Sequence, residues 1–168
     1  MCLLDYFLDG RIVISGITDS ITVQIPYKYQ NVPIPGGGYV TGFVFHKKVP
    51  EILYARTDIG GVYRYLYDEQ RWKSLIDHVS MLDIAEAFPI AVALDKDNPN
   101  RLYIACGING VPEGKLCISE DYGESFTYKT IPTMVHGNLS GRGTGMRLVV
   151  DESDSRRLRR WRHKGSVF

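Results

Sequence analysis

Asp58 stands near cationic residues, a setting in which a carboxylate can do chemistry. It follows Arg56-Thr57 and precedes Ile59-Gly60-Gly61, with Arg64 a little further on. Alternation along a strand puts Arg56 on the same face as Asp58, and Arg64 can approach from the next strand. Cations nearby keep an aspartate ionised at neutral pH. Such a carboxylate can hold a water and accept its proton, but it cannot also supply a proton to a leaving group. A local role stands beside this one, in which Asp58 only caps the Thr57–Gly61 turn.

Ser119-Glu-Asp121-Tyr-Gly123-Glu-Ser125-Phe126 fits the pattern S-x-D-x-G-x-[ST]-[WF], known as the Asp-box. Its logic is local and structural. Asp121 caps a tight turn, Gly123 supplies a turn dihedral without a Cβ, and Phe126 tucks into a core. The remaining reactive residues form no constellation. His46, His78, His136 and His163 are scattered. Cys2, Cys106 and Cys117 make no CxxC pair and have no histidine at zinc-ligand spacing, so no metal site is expected. Cys106 and Cys117 fall on consecutive expected strands and read as two buried thiols, with a cross-strand disulfide as the alternative. Gly36-Gly37-Gly38 is followed by no Gly-Lys-Ser/Thr and no helix, which makes it a backbone turn and not a phosphate loop. No cofactor is expected. Tyr39, Tyr63, Tyr65 and Trp72 can stack on sugar rings, or they can simply fill a core.

The elements that position these residues are strands. Short apolar runs recur from Tyr39 to Asp151 at spacings of roughly 8–14 residues, separated by Gly, Pro, Asn and Asp. Only 79–88 could make a helical turn or two. Residues 43–65 and 91–119 share one pattern: an apolar strand, a polar turn with Pro50 or Pro99, then Leu53-Tyr54 or Leu102-Tyr103 leading a second strand. Arg147-Leu-Val-Val-Asp begins the pattern a third time. A period of about 50 residues is the size of one four-stranded propeller blade. The expected fold is all-β, a partial β-propeller of about two blades and the start of a third. Residues 1–26 show a strand-like patch at Ile12-Val13-Ile14 and alternation at Ile21, Val23 and Ile25, ended by Pro26. The role of that segment is left open.

Composition narrows the class. The chain has 168 residues, 44% hydrophobic and 23% charged, as in ordinary globular proteins. No apolar run is long enough to cross a membrane. The N-terminus lacks a basic region, and Asp5 and Asp9 break its apolar stretch, so it does not read as an export signal. Net charge is +1, but residues 156–164 hold six of the 20 basic residues. The 14 that remain face 19 acidic ones, leaving the body at −5.

The strings Tyr29-Gln-Asn-Val-Pro-Ile-Pro-Gly-Gly-Gly-Tyr-Val-Thr-Gly-Phe-Val-Phe-His and Leu53-Tyr-Ala-Arg-Thr-Asp-Ile-Gly-Gly-Val-Tyr-Arg-Tyr are specific. They closely resemble the start of glycoside hydrolase family 74, the xyloglucanases and related endo-β-1,4-glucanases. The later stretch Gly137-Asn-Leu-Ser-Gly-Arg-Gly-Thr-Gly-Met-Arg-Leu-Val-Val-Asp looks similar too. The resemblance runs from about Tyr27 to Asp154. It implies two seven-bladed propellers with a cleft between them, and inverting hydrolysis of a β-1,4-glucan by two aspartates. Asp58 matches the general base. The general acid belongs to the second propeller, outside this chain. The resemblance also implies a polysaccharide partner, xyloglucan or a related β-glucan, and an extracellular setting. Tyr39, Arg56, Tyr65, Asn138 and Arg142 become candidate sugar contacts. Asn138-Leu-Ser140 is also a glycosylation sequon.

The sequence departs from the family in places. Pro35 stiffens the first turn, Met146 stands where a glutamate is usual, and Tyr65 where tryptophan is usual. After Asp154 a basic run, 155–168, replaces the expected strand. That switch is read as a truncation or a shifted reading frame, so the tail is expected to be non-native or disordered. It is not read as a nucleic-acid arm, and neither nucleic acid nor a membrane is an expected partner. Two blades cannot close a ring, so the chain is expected to be inactive alone and to need the remaining blades. The rival reading is a non-catalytic Asp-box module for carbohydrate binding or protein interaction.

Overall fold

The computed structural model describes residues 3–6, 11–15, 20–24, 34, 36–77, 88–108, 110–135 and 147–160. The chain divides into two units, residues 1–32 and 33–168. The first holds an antiparallel meander of β1 (Leu3–Tyr6), β2 (Arg11–Ser15) and β3 (Ser20–Gln24). The Ile12–Ile14 patch lies on β2, and Ile21 and Val23 lie on β3. Sequence reading missed β1, because Leu3-Leu4-Asp5-Tyr6 carries no period-2 alternation.

The second unit contains two four-stranded antiparallel sheets and a two-stranded one. The first sheet is β4 (Val40–Phe45), β5 (Leu53–Thr57), β6 (Val62–Leu66) and β7 (Arg71–Ser74). The second is β8 (Pro89–Leu94), β9 (Leu102–Cys106), β10 (Gly114–Ser119) and β11 (Thr127–Ile131). The third pairs β12 (Leu148–Val150) with β13 (Leu158–Arg160). Each strand pairs with its neighbour in sequence. This is a partial β-propeller: two blades and the opening of a third, with no helix among the described residues. The helical turn weighed for 79–88 lies outside those residues except at Phe88.

Each blade is buried by the next. Ile52, Tyr54 and Val62 of the first blade pack with Val92, Leu102, Ile104, Cys106 and Cys117 of the second. The other face of the second blade, with Ala91, Ala93, Tyr103 and Ala105, packs on Leu148 and Val150. Cys106 and Cys117 are buried thiols with sulfurs 3.8 Å apart. The opposite face of the first blade carries Phe43, Ala55, Tyr63, Tyr65 and Trp72. Nothing in the described structure covers its inner end, where Phe43 is 52% and Phe45 60% exposed.

One loop recurs three times and shows the repeat at atomic level. After each first strand stands a residue whose side chain accepts from the backbone two or three positions on. His46 Nδ1 accepts from Lys48 N and Val49 N at 3.2 and 3.0 Å. Asp95 Oδ1 accepts from Asp97 N and Asn98 N at 2.9 and 3.2 Å. Asp151 Oδ1 accepts from Ser153 N at 2.9 Å. The backbone closes alike each time: His46 N to Ile52 O, Asp95 N to Arg101 O, Asp151 N to Arg157 O. With Nδ1 accepting, the His46 proton sits on Nε2, which donates to the Asp95 carbonyl at 2.9 Å and joins two blades. Burial pushes the Asp95 carboxyl up, but the Asp97 and Asn98 amides, then Ser155 and Arg101, outweigh it and hold the group below its ordinary value.

Residues 155–160 were expected to lie in a tail beyond the blades. They instead complete the third loop and form β13, with Leu158 where Leu53 and Leu102 stand in the other repeats. The basic composition hid this, because Arg156, Arg157 and Arg159 point to solvent and pair with Asp154 and Asp151. Residues 161–168 lie outside the described residues.

Candidate active site

Asp58 sits just past β5, half-buried, where the hairpin register brings it opposite Tyr39. Its Oδ1 accepts from the Tyr39 backbone N–H at 2.7 Å, and its own N–H donates to Tyr39 O at 3.0 Å. The loop beyond is tied to itself. Gly60 N donates to Thr57 Oγ1 at 2.7 Å, and Thr57 N and Oγ1 both donate to Gly61 O. So the turn is capped by Thr57, and the Asp58 carboxylate is directed across to Tyr39.

Arg56 and Arg64 do not flank Asp58. Arg56 is 3% exposed, and its Nη1 donates to the Ile90 carbonyl on the second blade. Burial, then Arg147, lowers that guanidinium from its ordinary value. Arg64 lies 4.4 Å over the Tyr122 ring. Both serve the contact between blades, and among the described residues no ion pair involves Asp58. Strand parity alone misled here: Asp58 lies one residue beyond β5, where the pleat that carries Arg56 has ended.

The aromatic candidates separate. Tyr39 is 60% exposed beside Asp58. Tyr63 and Trp72 are buried, and Tyr65 packs on Trp72 and Tyr67 at centroid distances of 5.1 and 4.8 Å. Tyr65 therefore faces the uncovered blade surface. Asn138 and Arg142 lie outside the described residues, as do Met146, His78, His136 and His163. Among the described residues no group of His, Cys, Asp and Glu could hold a metal ion.

The 119–126 turn is dense with bonds. Ser119 Oγ donates to Asp121 Oδ1 at 2.7 Å and accepts from Gly123 N at 2.7 Å. Ser125 donates to Asp121 through N at 2.9 Å and through Oγ at 2.5 Å. Gly123 has φ +94°, and a Cβ there would meet Leu75 Cδ1 at 2.7 Å. Phe126 packs against the core between the first two blades. The Ser125 hydroxyl and amide, then Ser119, lower the Asp121 carboxyl from 3.8 to about 2. Its folded value is depressed, so its stabilisation is complete above the unfolded value and is lost as pH falls through about 2. Asp121→Asn should therefore lower the urea midpoint most at pH 5–7, and the gap from wild type should shrink as pH falls toward 2. A gap unchanged between pH 7 and pH 2 would show that the turn does not depend on the charge.

What the sequence reading did not single out is the backbone around Asp58. Gly38, Gly60 and the Tyr39 amide touch the carboxylate or its loop. The triple glycine was the available signal, and only the hairpin register places it opposite Asp58.

Comparison with known proteins bears on the chain as a whole. The chain is 37% identical over 148 residues to the xyloglucanase Xgh74A of Acetivibrio thermocellus, covering 85% of this chain and 18% of that protein. It is 39% identical over 132 residues to an oligoxyloglucan-reducing end-specific xyloglucanase of Emericella nidulans, covering 77% and 16%. The family 74 xyloglucanase of Xanthomonas campestris superposes with a TM-score of 0.68 at 36% identity, over 79% of this chain and 19% of the other. This chain carries a stretch of glycoside hydrolase family 74. It spans less than a fifth of the length of these relatives. No family model matches it. A family 74 enzyme of Niastella koreensis superposes similarly, with a TM-score of 0.65. Among the described residues no helix is long and apolar enough to cross a membrane.

Proposed function

We propose that this chain supplies the general base, Asp58, of an inverting hydrolase acting on xyloglucan or a related β-1,4-glucan in the extracellular space. The observation that carries the reading is the Asp58 carboxylate itself. It is half-buried, held by a single backbone N–H, and has no ion-pair partner among the described residues. The resemblance of the Tyr54–Gly61 string to the family and the xyloglucanase relatives support it. Inverting hydrolysis needs a second carboxyl, protonated and about 6.5–9.5 Å away, so that a water fits between base and sugar. That acid is to come from polypeptide outside this chain, which also closes the propeller against the Phe43–Phe45 surface. Tyr39, exposed beside Asp58, offers a ring to a glucose unit. The 119–126 turn carries no catalytic part in this reading and serves as an Asp-box turn between β10 and β11.

The test is hydrolysis of xyloglucan by this chain assembled with the remainder of a family 74 relative. Proton NMR of the first product should show the α-anomer before mutarotation. A β-anomer would overturn inversion. Equal activity from the chain alone would show that no second carboxyl from outside is required.

A further inference from the structure

The two oxygens of Asp58 are not equivalent. Oδ1 is bound to the Tyr39 amide at 2.7 Å, within the range of charge-assisted hydrogen bonds. Oδ2 has no hydrogen bond among the described residues. The Tyr39 N–H points at Oδ1 because Gly38 has φ +98°, a conformation that favours glycine. A Cβ at Gly38 would also meet Asp58 Oδ1 at 2.9 Å and Gly60 N at 3.1 Å. On either side the contact is closer still. A Cβ at Gly60 would overlap the Gly37 carbonyl, and one at Gly36 would overlap the Tyr63 hydroxyl. Tyr63 is buried, and that hydroxyl donates to Gly60 O at 2.5 Å. The segment 36–39 is thus pressed backbone to backbone against the Asp58 loop. Gly37 differs from its neighbours, since a Cβ there would meet nothing within 4 Å.

We propose that Gly38 and the Tyr39 amide are positioning elements that fix Asp58 through Oδ1 and leave Oδ2 as the basic oxygen. This rests on the general-base reading of Asp58. As the water oxygen bonds to the anomeric carbon, its proton passes to Oδ2. The bond to the leaving oxygen breaks with its electron pair, and the second carboxylic acid protonates that oxygen. Tyr39 keeps its hydrogen bond throughout, so the carboxylate cannot rotate and exchange its two oxygens.

The first readout needs no activity. In 1H–15N spectra of this chain, the Tyr39 amide proton should move downfield as pH rises from 2 to 7, and Asp58→Asn should abolish that movement. A Tyr39 amide indifferent to pH overturns the proposal. Gly38→Ala should abolish it too, while Gly37→Ala keeps it. In the assembled hydrolase, Gly38→Ala should lower kcat about 100-fold, the cost of misplacing a reacting group by about 1 Å. KM should stay within twofold, and Gly37→Ala should match wild type. A Gly38→Ala enzyme with wild-type kcat, or a Gly37→Ala enzyme equally impaired, also overturns it. Failure of the underlying reading looks different: the Tyr39 amide would follow Asp58 while Asp58→Asn stayed fully active.

Discussion

Asp58→Asn in the assembled hydrolase is expected to lower kcat on xyloglucan by about 10²–10⁴-fold, the usual worth of general acid–base catalysis. Asparagine matches aspartate in size and keeps an oxygen that can accept from the Tyr39 amide. The loop tied by Thr57 and Gly60 has no reason to move. On the proposed reading, what is lost is the ability to take a proton from water. KM should change little, because the substitution removes an interaction made in the transition state and not a contact to bound sugar. Reducing-sugar release under saturating xyloglucan measures the effect. Retention of more than a tenth of the wild-type rate would move the base elsewhere and leave Asp58 as a turn residue.

The largest stability effect is expected at Tyr54. Its side chain is 1% exposed, packed between the first two blades, and its hydroxyl donates to Tyr122 O at 3.2 Å. Tyr54→Ala should cost about 3–5 kcal/mol, as for other large buried aromatics. That is a sizeable share of the roughly 5–15 kcal/mol that holds a typical domain together. Tyr54→Phe should cost only about 1 kcal/mol, since it removes the hydrogen bond and preserves the packing. Burial above all pushes the Tyr54 hydroxyl from 10.0 up to about 12, against a smaller opposing effect of Arg64. The folded value is raised, so its contribution is full below pH 10 and is lost as pH climbs toward 12. Urea titrations at pH 7 and at pH 11 should show the wild type weakening on the alkaline side, with Tyr54→Phe weakening less. Equal alkaline slopes would mean that the hydroxyl is not what titrates.

Much of the fold could be read from residue patterns because its units are local. The blade strands announce themselves through β-rich runs between Gly, Pro and Asn, and Leu53-Tyr54 against Leu102-Tyr103 reveals the repeat. Two features were obscured. The arginines around Leu158 masked a strand, because side chains on a solvent face say little about backbone pairing. Arg56 and Arg64 looked like partners of Asp58, yet sequence spacing cannot tell which neighbouring blade a long side chain will reach. At the site, the string around Asp58 was conspicuous. Its hydrogen-bond donor was not, because that donor is a backbone amide placed by the register of β4 on β5 and by the φ of Gly38.

Every strand of the second unit pairs with its neighbour in sequence, and this bears on how the chain is made. A ribosome adds roughly 5–20 residues per second, and a β-hairpin closes in roughly 1–10 μs. Each sheet can therefore be completed within seconds of leaving the exit tunnel, before the next has been synthesised. Residues 40–74 have all their pairing partners in hand while 89–131 are still being translated. The open Phe43–Phe45 surface then lies on the first strand of the unit to be made and is exposed early in the cell. It is where a chaperone would have time to bind.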